Sequence, residues 1–355
     1  MTAVLRAHLP CGYGPADNGK GEAGMTDREQ VIEMITGAWK TRVIGEGARL
    51  GLFDRLAGGS CGAADLAGTV GGNPDGLMRL LRGLATLGLV RHEPGGRFSL
   101  TPRGACLRRD APDSLNGMAG HWADRLWNSF GGIGESIRTG AASAPSGPEH
   151  FVEQQADPVR SDIFNRAMAE GSLRVGRSLA RHYDFSGCKA LMDVGGGYGA
   201  LLVGPLEAHG HLRGFIFDLP VLADAATAYL NEQGVGDRAR YVGGSFFESV
   251  PAMADCLMLK FILHDWNDET SLAILTHCRE AMGEGSRVLI VERIVPEMVT
   301  PADQDVIRGD LTMLTIGGKE RTEAEYRSLL ADAGLAITAI VPLDGGYSAI
   351  EARPA

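Results

Sequence analysis

No two of the six cysteines (Cys11, Cys61, Cys106, Cys188, Cys256 and Cys278) stand in a C-x-x-C spacing. The common zinc-ribbon and disulfide-scaffold patterns are therefore excluded, no metal is expected, and a reducing, cytoplasmic setting fits. No apolar run approaches the roughly 18 residues needed to span a bilayer, so no membrane partner is expected. The first residues also lack the unbroken apolar core of a secretory signal. Basic charge is scarce: 34 Lys and Arg stand against 44 Asp and Glu, a net charge of −10. So acidic a chain has no general affinity for nucleic acid. Residues 1–27 are rich in Gly, Ala, Pro and polar side chains, the composition of a disordered tail.

The rest of the chain is ordinary for globular protein, with 44% hydrophobic and 22% charged residues over a length of 355. That length accommodates two domains with proper cores. The expected division is residues 28–180, mainly helical, and 181–355, α/β. In the first unit, Thr26 or Asp27 caps a helix whose Val31, Met34, Ile35, Ala38 and Trp39 share one face. Asn73-Pro74 reads as cap and first turn of another helix, striped by Leu77, Leu80, Leu81, Leu84 and Leu87. Two short strands follow, Leu89–His92 and Gly95–Leu100, completing a winged-helix outline.

Such an outline raises DNA binding as a competing function, that of a ligand-sensing transcription factor. From Arg28 to Asp110 there are twelve Arg or Lys and eight Asp or Glu, without a dense basic cluster. Small and apolar exposed positions suit a subunit interface better, and a homodimer through this unit is expected. Between Ser114 and Tyr183 the pattern is helical again, broken at Gly140–Gly147. Its aromatics and Met168 serve either as plain core or as an apolar slot for a flat ring.

The second unit alternates strand and helix: Leu191–Val194, Gly214–Asp218, Arg240–Val242, Cys256–Phe261 and Arg287–Val291, then a helix capped by Thr322. It closes with Ile337–Val341, an Asp344-Gly345-Gly346 turn and Tyr347–Ala352. The fold class is α/β, a Rossmann-like doubly wound sheet ending in an antiparallel strand. Its ligands belong at the carboxyl ends of the strands.

One such end is the turn Asp193-Val194-Gly195-Gly196-Gly197. Gly195, Gly197 and Ala200 fit the dinucleotide fingerprint, with Asp218 ending the next strand, so NAD is admissible. Asp193, however, repels a pyrophosphate and welcomes a cation. S-Adenosylmethionine, with two ribose hydroxyls, a sulfonium and no phosphate, is the better reading. Asp218 then accepts the ribose hydroxyls, Ser245 and Phe246 grip the adenine, and Lys260 ends the fourth strand. His264 follows that strand, where an imidazole can deprotonate a phenol of pKa about 10. Glu292 and Glu320 are the candidate carboxylates that orient it.

Four motifs make the chain similar to one large family. They are Asp193–Gly197, Phe217-Asp218-Leu219-Pro220, Leu259-Lys260-Phe261-Ile262-Leu263-His264-Asp265-Trp266, and Gly317-Gly318-Lys319-Glu320-Arg321-Thr322. The chain resembles the S-adenosylmethionine-dependent O-methyltransferases that act on small phenolic molecules, from about Arg28 to its end. The resemblance implies that the winged-helix half dimerises, that Gly195, Asp218 and Lys260 contact the cofactor, and that His264 is the general base flanked by Glu292 and Glu320. It also implies that Asp310 and Met313 line the substrate pocket and that Met168 clamps an aromatic ring. Ser245 departs from the family, which commonly has an acidic residue there. Methylation of a ring carbon ortho to the phenol, or a non-methylating reaction on the same scaffold, stays open.

Overall fold

The computed structural model describes residues 25–111 and 114–355, so the tail expected over 1–27 lies almost wholly outside the described residues. Thr26 caps the first helix, Asp27–Thr36, through a capping box with Glu29, satisfying two backbone donors at once. None of this helix is buried within the chain: Val31, Ile32, Met34, Ile35 and the following Trp39 are exposed. The apolar face read from the sequence is therefore real, and it points away from the chain's own core.

Behind it, Ala38–Arg49, Ala63–Val70 and Pro74–Thr86 enclose a core of Leu52, Phe53, Leu66, Leu81, Leu84 and Phe98. Each fully buried side chain of this size contributes about 1.5–3 kcal/mol. Asn73 caps the last of these helices, accepting from the Gly76 amide at 2.9 Å. A small antiparallel sheet covers the end, with β3 (Arg97–Leu100) between β1 (Cys61–Gly62) and β2 (Val90–Glu93).

The second unit is built on a seven-stranded sheet. Its strands are β4 (Ala190–Val194), β5 (Arg213–Asp218), β6 (Ala239–Gly243), β7 (Cys256–Lys260), β8 (Arg287–Glu292), β11 (Leu335–Pro342) and β12 (Ser348–Pro354). A two-stranded ladder, β9 (Ile294–Val295) with β10 (Arg321–Thr322), lies beside it. The order is β11-β12-β8-β7-β4-β5-β6, parallel from β4 to β8 with β12 inserted antiparallel. Side chains alternate across it: Leu191, Cys256 and Met258 enter one core, and Met192, Leu257 and Leu259 the other. The chain winds outward in opposite directions from β4 and β7, and this reversal opens a crevice at their carboxyl ends.

Two findings refine the sequence reading. The helix Pro158–His182, placed in the first unit by the 28–180 division, packs on the sheet. Its Val175 and Leu179 share a core with Leu201 and Leu202. A Cβ on Gly204 would stand 2.4 Å from the Gly176 backbone, so only glycine allows these two helices so close. Strand β7 stops at Lys260 and not at Phe261, because Phe261 turns into the left-handed region (φ 58°), the one non-glycine residue to do so among those described.

Candidate active site

The carboxyl ends of β4, β5, β6, β7 and β8 open into one cavity of about 770 Å³. At its β4 side the backbone reverses through Gly195 (φ 71°) and Gly197 (φ 56°). A Cβ on Gly195 would lie 2.4 Å from Ile262 Cδ1, so the turn is a cradle that a side chain would fill. The Asp218 carboxylate fixes this turn. Its Oδ2 accepts from the Gly197 amide and its Oδ1 from the Leu219 amide, each at 2.7 Å. Burial raises the Asp218 pKa, and these two donors oppose that shift. Lone pairs beyond those two bonds remain for a diol.

Asp193 and Lys260 face the same space from adjacent strands. Burial pushes the Asp193 acid up to about 7 and the Lys260 ammonium down to about 7, each resisted by the other's charge. Lys260 Nζ lies 3.7 Å above the centroid of the Phe261 ring, whose left-handed backbone turns it beneath the amine. Ser245 and Phe246 also line this end. The Ser245 hydroxyl accepts from the Phe247 amide at 3.3 Å, so it is partly engaged in its own turn.

His264, buried, stands at the far side of Lys260 and stacks on Phe261 (centroids 4.8 Å apart, 24° between planes). Its Nδ1 lies 3.0 Å from Glu320 Oε1 and its Nε2 3.5 Å from Asp265 Oδ1. Burial alone would lower its pKa, but Asp265, Glu320 and Glu292 outweigh it and raise the value to about 9. Glu320 is itself set in place by Asp310, whose Oδ1 accepts the Glu320 amide at 3.0 Å. Glu320 Oε2 is buried and has no hydrogen-bond partner among the described residues.

Two expected site residues take other positions. Glu292 does not line the cavity; its Oε1 accepts from the amides of Ile262 (3.1 Å) and His264 (3.2 Å), and its Oε2 from the Tyr326 hydroxyl. It holds the loop that carries the imidazole, not the imidazole itself. Asp310 turns to the Glu320 backbone, while its helix neighbours Gly309 and Met313 face the cavity. Met313 and Met168 both line it.

Sequence reasoning assigned no role to Arg321, Tyr326 or Asp265. Arg321 is fully buried and donates to the carbonyls of Leu263 (2.8 Å) and Trp266 (2.9 Å) and to Asp268 and Ser271. This fork fixes the turn immediately after β7. Its signal was present, an arginine inside a motif, but only the fold shows it to be inside the protein.

The donor set suits S-adenosylmethionine: a glycine cradle, an acceptor for a ribose diol, an apolar wall and a buried carboxylate for a cation. Among the described residues no group of His, Cys, Asp and Glu is arranged to hold a metal, and no helix is long and apolar enough to cross a membrane. Cys61, Cys106, Cys188, Cys256 and Cys278 are free thiols.

Comparison with known proteins agrees with this geometry. Residues 134–336 match the model of the O-methyltransferase domain, and residues 32–110 that of the O-methyltransferase dimerisation domain. The chain is 36% identical to a phenazine O-methyltransferase of Lysobacter antibioticus, over 91% of this chain and 95% of that one. It is also 36% identical to the O-demethylpuromycin-O-methyltransferase of Streptomyces alboniger, over 96% and 92%. Among solved structures, LaPhzM superposes with a TM-score of 0.87 at 35% identity, covering 92% of this chain and 99% of that one. An O-methyltransferase from neocarzinostatin biosynthesis, solved with S-adenosylmethionine and 2-hydroxy-5-methyl naphthoic acid, gives 0.75 at 34%, covering 89% and 96%. A class I methyltransferase sheet joined to a helical dimerisation unit, with a cofactor crevice at the β4/β7 switch, makes this chain a member of the S-adenosylmethionine-dependent O-methyltransferase family.

Proposed function

We propose that this enzyme methylates a phenolic hydroxyl of a small aromatic secondary metabolite, with His264 as general base. The observation that carries the reading is His264 itself, buried at the wall of the cavity with its Nδ1 on Glu320 and its Nε2 beside Asp265. Bound S-adenosylmethionine supplies an electrophilic methyl group on a cationic sulfur. Asp218, the Gly195–Gly197 cradle and Lys260 would hold it at the β4/β7 crevice. Met168, Met313 and Trp266 make the apolar walls of a flat substrate slot.

The division of labour follows from the distances. Glu320 holds the Nδ1 proton, leaving Nε2 as the site that accepts the phenol proton. Glu292 and Arg321 fix the backbone on which that imidazole is mounted. Positioning of the acceptor oxygen supplies most of the acceleration and proton removal the rest. The exposed apolar face of Asp27–Thr36, which runs into the dimerisation segment matched from residue 32, supports assembly as a homodimer.

Calorimetry with S-adenosylhomocysteine, and separately with NAD, followed by single-turnover assays of His264→Ala, tests the reading. Micromolar binding of the first ligand alone is expected, and loss of about 100-fold or more in methyl transfer with that binding intact. Wild-type rates in His264→Ala would remove the base assignment.

A further inference from the structure

We infer that Asn165 is a second acceptor for a ribose hydroxyl of S-adenosylmethionine, joining Asp218 at the Gly197 turn. The inference needs only the cofactor and holds whichever atom of the substrate is methylated. Asn165 is 3% exposed and lines the cavity from the helix Pro158–His182. Its Nδ2 donates to Gln155 Oε1 at 2.8 Å, to the Ser161 carbonyl at 2.9 Å and to Ser161 Oγ at 3.1 Å. The Ser161 hydroxyl in turn donates to Gln155 Oε1 at 2.6 Å. A backbone carbonyl can only accept, so Ser161 fixes which end of the Asn165 amide is nitrogen. The oxygen is thereby turned to Gly197, where a Cβ would stand 3.3 Å from it. Among the described residues every hydrogen bond of this side chain runs through Nδ2, and Oδ1 receives none.

A buried acceptor on a cavity wall needs a donor from whatever fills the cavity. Gly197 touches two such acceptors: its amide donates to Asp218 Oδ2 at 2.7 Å, and its α-carbon meets Asn165 Oδ1. A ligand group at this turn therefore finds a carboxylate and an amide oxygen, both of which take hydrogens. The two ribose hydroxyls are a vicinal pair of donors and match two acceptors set about one residue. The cofactor's ammonium has another partner, the Asp193 carboxylate, which lies against Gly196. The helix that carries Asn165 is fastened to the turn. The Tyr198 hydroxyl donates to Asp162 Oδ1 at 3.1 Å, about one helical turn before Asn165. Gln155, also buried, closes the network from the end of the preceding helix, Pro148–Ala156. A neutral oxygen here adds an acceptor without setting a second negative charge beside Asp218, whose pKa burial already raises.

The test is calorimetric binding to the full-length enzyme of S-adenosylhomocysteine, its 2′-deoxy and 3′-deoxy analogues, and 5′-methylthioadenosine. Asn165→Ala is expected to weaken S-adenosylhomocysteine about 3- to 10-fold, the scale of one neutral hydrogen bond. One deoxy analogue, the one without the hydroxyl that Asn165 receives, should bind wild type and variant equally, which also verifies the variant's fold. The loss should persist with 5′-methylthioadenosine, which keeps the diol and lacks the amino-acid portion. Should Asn165→Ala not fold, the shorter but polar Asn165→Ser is expected to give the same pattern. Equal losses with S-adenosylhomocysteine and both deoxy analogues would make Asn165 merely structural and overturn the inference. Unchanged affinity for S-adenosylhomocysteine would overturn it as well. A loss that disappears with 5′-methylthioadenosine would assign the oxygen to the amino-acid portion and remove the ribose contact.

Discussion

His264 Nδ1 and Glu320 Oε1 stand 3.0 Å apart, both side chains buried, although 56 residues of chain separate them. The helix Gln304–Ile316 makes this possible: it ends at Gly317 (φ 88°), and its Asp310 receives the Glu320 amide, returning the carboxylate to the imidazole. A proton acceptor so surrounded by negative charge is a strong base, held protonated until the pH approaches 9.

The pH dependence of kcat/KM follows from that sign. The imidazolium cannot take the phenol proton, so activity should rise with pH through neutrality and level off near pH 9. Glu320→Gln removes a charge that favours the imidazolium and should move the rising limb down by about one pH unit or more. Initial rates from pH 6 to 10 decide it, and a limb in the same place in both proteins would contradict the pairing.

Asp218→Asn keeps the shape of the side chain but replaces one oxygen by a donor facing the Gly197 amide. Affinity for S-adenosylhomocysteine should fall about 10-fold or more, with little change in the rate at saturating cofactor. A lowered saturating rate with unchanged affinity would mean that Asp218 acts in the chemistry and not in binding.

Gly195→Ala sets a Cβ 2.4 Å from Ile262 Cδ1 at a backbone φ of 71°. The expected cost is about 1–3 kcal/mol of stability, with cofactor binding lost because the cradle is filled. Gly210→Ala, where a Cβ meets open space, serves as the control and should bind normally. Denaturant melts and calorimetry on the two variants separate a general glycine effect from this one.

Arg321→Lys cannot reproduce the fork that reaches Leu263, Trp266, Asp268 and Ser271 together. It should cost about 2–4 kcal/mol, since buried carbonyls lose their donors. Methyl transfer should fall more than cofactor affinity, because the turn it holds carries His264. A melting temperature equal to wild type would show the fork to be dispensable.

Local pattern determined much of this protein by itself. The caps at Thr26, Asn73, Asn267 and Thr322 all accept from the backbone of the helix they precede, because a cap is decided within four residues. The parallel strands were legible as short apolar runs, and their carboxyl ends placed Asp193, Asp218, Lys260 and His264 in one crevice by the geometry of any doubly wound sheet. What the tertiary structure alone decided is the direction in which long-range partners point. Glu292 and Glu320 look alike in sequence, yet one binds backbone amides beneath the loop and the other the imidazole. Asp310 and Met313 sit on one helix, yet the acid turns to a backbone amide and the methionine to the cavity. Nothing near Arg321 or Arg125 in sequence gives its place, and the fold puts one inside a turn and the other on the cavity wall. Periodicity and caps are set by neighbours along the chain. The partner of a buried charge is set by which strands and helices the hydrophobic core brings together.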